Sequence, residues 1–183
     1  MIEFNPFPKM ARWSREVLIT EKIDGTNASI FISEDGEFLI GSRTRWITPE
    51  NDNAGFARWA YERKDEIMLL GAGHHFGEWW GLGIQRSYGM TEKRFSLFNT
   101  ERWSDDSIRP SCCGVVPVLY KGVLDVGVME GAVDLLAITG SHAAPGFMRP
   151  EGVVMFHTAA RIGFKKTIEK DEQPKHMYIE RNK

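Results

Sequence analysis

The chain has 183 residues, 42% apolar and 26% charged, a composition that supports one well-cored domain and excludes global disorder. Lys plus Arg number 23 against 25 Asp plus Glu, a formal charge of −2, which excludes a chain that holds a polyanion by net charge alone and leaves only a local basic cleft. Two adjacent cysteines, Cys112 and Cys113, cannot staple distant segments, and nothing in the sequence approaches 18 consecutive apolar residues or resembles a signal peptide, so the expectation is a cytoplasmic protein with no membrane association.

Short apolar runs separated by glycine and proline favour many short strands over long helices. Residues 17–23 read as a strand, Asp24-Gly25 as a turn, and residues 26–32 as a second strand with Ala28, Ile30 and Ile32 on one face. Asp35-Gly36 is a further turn before a strand near 37–43, and the three segments together predict an antiparallel meander. Residues 53–68 have helical spacing, with Asn53 as the cap and Phe56, Ala60 and Ile67 near one side. Strands are expected at 73–79 and 94–99, and a short strand or covered loop at 115–120. A helix is expected at 127–138, ended by Gly140, with strands at 152–156 and 161–167. The polar stretch 169–183 reads as a tail or short cap.

Four short segments carry groups suited to chemistry. Lys22 ends a β run just before a turn, which places an amine at a sheet edge on the same side as Asp24. Its plain alternative is a solvated hairpin lysine. Glu78, among the aromatic residues of Phe76-Gly77-Glu78-Trp79-Trp80, shares a face with His74 and Phe76, and a carboxylate there needs an ion pair, hydrogen bonds or a metal. Glu151 sits at the mouth of a buried strand. Lys165 and Lys166 either face a phosphate or keep an edge strand soluble. Together they suggest an amine that attacks phosphorus, two carboxylates for a hard cation, and further lysines that neutralise phosphate. A free lysine amine titrates near about pH 10.4 and is a poor nucleophile at neutral pH. Nearby positive charge and desolvation make one reactive.

Lys22-Ile23-Asp24-Gly25 resembles the nucleophile motif of the covalent nucleotidyltransferases, the ATP-dependent DNA and RNA ligases and mRNA capping enzymes. Gly41-Ser42-Arg43, Phe76-Gly77-Glu78-Trp79, Phe95-Ser96-Leu97-Phe98-Asn99, Glu151-Gly152-Val153-Val154 and Phe164-Lys165-Lys166 resemble the family's other motifs, in order, over residues 21–167. Asn27, two residues past the motif glycine, and Gly81-Leu82-Gly83-Ile84-Gln85 with Tyr88-Gly89 are similar to RNA ligases of the phage-repair and editing branch. The resemblance implies an α+β adenylation domain, antiparallel sheets flanked by helices with ATP between the sheets. It also implies an ATP-dependent RNA ligase that uses Mg²⁺ or Mn²⁺ and joins the 5′-phosphate and 3′-hydroxyl of nicked or broken RNA.

By that resemblance Lys22 forms the phosphoramide with AMP, with Glu21 and Ile23 flanking it in the nucleotide site. Asp24 orients the ribose or assists sealing. Asn27 and Arg43 contact the sugar or the RNA 5′-phosphate, and Glu78 binds the ribose or organises the site. Phe98 stacks on adenine, with Phe95 as its rival. Glu151, with Glu78, positions the metal through water, and Lys165 and Lys166 contact phosphates. The family's last motif usually spaces its two lysines by one residue. Here they are adjacent and Thr167 takes the second place, so in a regular strand only one faces the phosphate, and Lys165 is preferred unless a bulge intervenes.

Family members usually carry another domain after the last motif. The expectation here is a single, nearly bare adenylation domain over 1–183 that binds RNA by its own surface, borrows a separate RNA-binding or repair protein, or performs part of the reaction. The oligomeric state is left open. Arg43, Arg45, Arg86, Lys93, Arg94, Lys165 and Lys166 are candidates for a basic rim, and Trp46 or Trp80 for base stacking as against core packing. His74 and His75 lack zinc spacing, Ser141-His142 reads as a loop, and Gly71-Ala72-Gly73 is no phosphate loop. The alternatives are a DNA ligase, a stand-alone adenylating or capping-type nucleotidyltransferase, and an inert RNA-binding module on the same fold.

Overall fold

The structure, a computed structural model, describes residues 2–172. Two sheets organise it. The first has four antiparallel strands in the order β10-β9-β1-β8, formed by β1 (Glu16–Lys22), β8 (Val118–Val123), β9 (Gly152–His157) and β10 (Ile162–Thr167). The two-residue period puts Val17 and Ile19 of β1 on one face with Val153 and Met155 of β9. That face is buried against Ala132, Val133 and Leu136 of helix α4 (Val128–Thr139). Gly140 ends α4 at a positive φ of 79°, which favours glycine, as its position in the sequence predicts.

The second sheet has six strands in the order β4-β3-β2-β5-β6-β7. They are β2 (Thr26–Ile32), β3 (Phe38–Gly41), β4 (Trp46–Ile47), β5 (Gly73–Gly81), β6 (Lys93–Leu97) and β7 (Cys113–Val115). All pairs are antiparallel except β6 with β7. Ala28, Ile30, Ile32, Ile40, Trp79, Phe95 and Leu97 form its apolar face. They pack against Phe56 and Ala60 of α1 (Phe56–Glu62), Ile67 of α2 (Lys64–Ile67) and Leu70 of the 3-10 turn that follows. Each large side chain buried here contributes about 1.5–3 kcal/mol. A four-residue helix, α3 (Thr100–Trp103), adds Trp103 to this core.

The expected strands are present and β2 and β3 pair antiparallel across the Asp35-Gly36 turn as expected, but β1 does not join them, so the three-stranded meander is not formed. β2 pairs with β3 and β5, whereas β1 pairs with β8 and β9. Residues 23–25 therefore carry the chain from one sheet to the other instead of closing a hairpin. The segment 115–120 divides likewise, into the end of β7 in one sheet and the start of β8 in the other. The apolar residues at these crossings, Ile23 and Val116, pack with Trp80, Tyr88 and Ala144 in a small cluster that joins the sheets. The long helix expected from residue 53 is divided at Arg63, and Asp52 rather than Asn53 caps it, accepting from the N–H groups of Ala57 and Arg58. Asn53 instead donates to the Thr26 hydroxyl. Of the expected tail, 169–172 is a turn that accepts from Thr167, and 173–183 lies outside the described residues.

Gly77 shows how tightly the central strands pass. A methyl at this position would lie 2.4 Å from the Ser96 carbonyl oxygen and 2.6 Å from the Phe95 ring. Gly77→Ala is expected to destabilise the fold by about 1–3 kcal/mol through overpacking, read as a lowered midpoint in chemical denaturation.

Candidate active site

Lys22 is the last residue of β1, directly opposite Gly152, the first residue of β9. This register brings its amine beside Glu151, and Lys22 Nζ donates to Glu151 Oε2 at 2.6 Å. The lysine side chain is 24% exposed and the carboxylate 8%, so the pair sits at the edge of the interior with one side open.

Glu21, on the opposite face of β1, anchors this strand end. It is fully buried and accepts from the Ser141 hydroxyl at 2.6 Å and from the His142 and Ala143 N–H groups at 2.8 Å each. A buried carboxylate with three donors is well satisfied and holds its strand in place. Its carboxylate is thus committed to the loop after α4 rather than to a nucleotide beside Lys22. The Ile23 side chain is likewise in the cluster between the sheets. Ser141-His142 is indeed a loop, serving Glu21.

Asp24 lies beyond the strand and is buried. Arg86 Nε donates to its Oδ2 at 3.1 Å, while Arg86 Nη1 donates to the carbonyls of Arg149 at 2.9 Å and Pro150 at 3.3 Å. One guanidinium thus ties the loop after Lys22 to the segment before Glu151. The Asp24 N–H donates to the Tyr88 hydroxyl at 2.7 Å, and burial pushes the Tyr88 hydroxyl pKa well up, which keeps it neutral. Gln85, Ser87 and Tyr88 all have positive φ, 46°, 56° and 50°, a strained loop of the kind that persists where surrounding contacts hold it. Arg86 was expected on the basic rim and is instead a clamp. Its charge was visible in the sequence, its partners were not.

Glu78 comes from the other sheet. It faces the same side of β5 as Asn27 does of β2, its direct register partner, and its Oε1 accepts from the Gly25 N–H at 3.1 Å. Burial pushes its pKa up to about 7, against the opposing effects of Lys22 and the Gly25 N–H, with the Glu151 and Asp24 charges adding to the rise. Lys22, Glu78, Glu151, Asp24 and Asn27 therefore converge from segments far apart in sequence. Arg43 is exposed in the turn between β3 and β4. Phe98 is 41% exposed just past β6, its N–H donating to the Phe76 carbonyl, whereas Phe95 is buried in the helix-side core and unavailable for stacking.

β10 pairs with β9 without a bulge, Lys165 opposite Val154 and Lys166 opposite Val153. Lys165 and Thr167 therefore share the face of Lys22. Lys166 points the other way and its Nζ donates to Glu130 of α4 at 2.8 Å, so it does not join the site. Trp80 is buried, donating to the Ser96 hydroxyl, and Trp46 remains half exposed. Of the other rim candidates, Lys93 donates to the Ala54 carbonyl and Arg94 pairs with Glu92.

Two carboxylates flank the amine, and among the described residues no set of three or more His, Cys, Asp or Glu side chains converges as a metal cage. Such a pair suits a hard cation held largely by water and by the phosphates of a substrate. Among the described residues no helix is long and apolar enough to cross a membrane.

Two sheets flanked by helices in an α+β fold are consistent with the adenylation domain of ligases and capping enzymes. Residues 15–170 match the RNA ligase family, and the chain belongs to that family. Its fold is similar to solved structures of a Naegleria gruberi RNA ligase. A mutant with ATP and Mn gives a TM-score of 0.65 at 18% identity, and one with AMP and Mn gives 0.62 at 18%. A ligand-free mutant of the ligase termed R4a gives 0.61 at 20%. In each case the match covers 92% of this chain and 52% of the other, so the chain spans about half the length of the ligases it matches. No curated protein matches it.

The raised Glu78 pKa has a defined sign for stability. Between the ordinary 4.5 and about 7, the folded protein holds a proton that the unfolded chain has lost, so the stability of the fold declines as pH rises through that window. Glu78→Gln is expected to flatten this decline and to be more stable than the parent at pH 8, by up to a few kcal/mol on the order expected for such a shift. Urea midpoints at pH 5 and pH 8, without added metal, check it.

Proposed function

We propose that this chain is the adenylating unit of an ATP-dependent RNA ligase, with Lys22 as the nucleophile. The observation that carries this reading is the Lys22 amine held 2.6 Å from Glu151, with Glu78 facing it from the second sheet. Glu151 is placed to receive the proton the ammonium must lose. The Lys22 nitrogen then bonds to the α-phosphorus of ATP as the bond to the pyrophosphate oxygen breaks. The AMP passes to an RNA 5′-phosphate, whose oxygen bonds to phosphorus as the lysine N–P bond breaks. In the last step a 3′-hydroxyl attacks the activated 5′-phosphate, a phosphodiester forms and AMP leaves.

Positioning and charge neutralisation do most of the protein's share in such chemistry. Lys165, on the Lys22 face, balances phosphate charge. Asn27 and Arg43 contact the sugar or the RNA 5′-phosphate, and Phe98 supplies a ring for adenine. Asp24, fixed by Arg86, holds the loop that presents the Gly25 N–H to Glu78. Glu78 and Glu151 would hold Mg²⁺ or Mn²⁺ largely through water, and that ion would neutralise charge on the phosphates. ATP and Mn bound in the similar Naegleria gruberi ligase structures support this reading. An inert RNA-binding module is the weaker alternative, because it has no use for an amine held between carboxylates that are costly to bury.

Incubation with radiolabelled ATP and Mg²⁺ is expected to leave AMP on the protein, and Lys22→Ala to abolish the label. Labelled Lys22→Ala protein overturns the assignment. Under the same assay Lys165→Ala is expected to slow labelling by tenfold or more and Lys166→Ala, which breaks only the pair with Glu130, to change it much less. Equal losses would return Lys166 to the site. Sealing of nicked RNA, nicked DNA and pre-adenylated strands then separates the complete reaction from its first step and fixes the substrate class.

A further inference from the structure

The site-bearing face of the six-stranded sheet continues away from Glu78 as a row of rings. Ser29 pairs with Phe76 and Phe31 with His74 in the register that pairs Asn27 with Glu78, so Phe31, His74 and Phe76 share the Glu78 face. His74 and Phe76 lie 4.1 Å apart between ring centroids, Phe31 and His74 5.9 Å, and Trp46 lies 5.7 Å from His74 and 6.2 Å from Phe31. Trp46 crosses over Gly41, where a methyl would meet its ring at 3.2 Å. Trp46, at 50%, Phe76, at 53%, and His74 are open to solvent and Phe31 is partly buried between them, while α1 and α2 cover the opposite face of the sheet.

A contiguous aromatic surface of this kind is not needed by the core, and large exposed apolar patches on soluble proteins mark interaction sites. Two features choose its occupant. The row is continuous with the residues around Lys22, ending two residues before Glu78. The turn joining β3 to β4 places the exposed Arg43 and Arg45 beside Trp46, so cationic groups border the rings. Flat rings bordered by guanidinium groups suit a polynucleotide strand, whose bases stack while its phosphates meet cations. We infer that Trp46, His74, Phe31 and Phe76 form a stacking platform for unpaired bases of the strand whose end is being joined. This rests on the ligase reading for why a strand approaches this face.

The test uses a fluorescein-labelled single-stranded oligoribonucleotide and a strand of equal length lacking its bases, with anisotropy measured at fixed salt and without ATP. Trp46→Ala is expected to weaken binding of the normal strand by about 5- to 100-fold, the range for loss of one stacked base, and Trp46→Phe to retain most of it. The abasic strand is expected to bind the parent protein more weakly and to lose nothing further in Trp46→Ala. Equal binding of the two strands, an unchanged affinity in Trp46→Ala, or an equal loss for both strands overturns the platform. Sedimentation showing that Trp46 instead holds two copies of the chain together, with no effect on RNA, also overturns it. AMP labelling of the parent protein is a separate readout. Its absence alongside base-dependent binding would sink the adenylation reading and leave the platform standing.

Discussion

The contact between the Lys22 amine and Glu151 depends on two backbone segments that have no sequence relation to each other. Lys22 ends β1, Glu151 precedes β9, and only the antiparallel register of those strands puts them face to face. A lysine and a carboxylate that close at the edge of a protein interior cost desolvation, and the cost is tolerable only when their surroundings fix both partners. Here the surroundings do so from three directions. The buried Glu21 carboxylate pins β1 from beneath, Arg86 bridges Asp24 to the carbonyls before Glu151, and the Gly25 N–H ties the crossing to Glu78.

The crossing between the sheets explains why the site exists where it does. A hairpin at Asp24-Gly25 would have kept Lys22 and Glu78 in one sheet and left the amine at a solvated edge. Because the chain passes instead from the four-stranded sheet into the six-stranded one, the end of β1 meets the open face of β2 and β5. Each sheet then uses one face for a helix-covered core and leaves the other for the site. The strained turn at 85–88 belongs to the same design. It places Arg86 and Tyr88 against Asp24 at a local backbone cost of a few kcal/mol at most, offset by three guanidinium hydrogen bonds and a buried hydroxyl contact.

The electrostatics follow from this placement. Glu78 is raised toward neutrality by burial, and the positive charge of Lys22 only partly opposes that rise. Lys165 and Lys166 illustrate how one residue of phase decides which face a side chain takes. A continuous register sends Lys165 to the face of Lys22 and Lys166 to Glu130 on α4, so two adjacent cations meet two different environments.

Much of this was legible before any coordinates. The strand and helix segments follow from local periodicity and turn residues, and the candidate site from Lys22, Glu78, Glu151 and Lys165 in the order of the family motifs. Opposite facing of the adjacent lysines follows from the strand period alone. Pairing partners were not legible, because alternation names a face without naming a neighbour. Hence β1 and β2 looked like a meander, Asn53 like the cap that Asp52 supplies, and Arg86 like a surface cation. The partners of Glu21 and the grouping of Phe31, His74 and Phe76 beside Trp46 were hidden for the same reason, since the environment of a side chain depends on strands distant in sequence. The order of elements and the residue types that can do the chemistry were set by the sequence through local rules. The convergence of those residues, the burial that shifts Glu78 and the exposure of the aromatic face were decided by long-range packing.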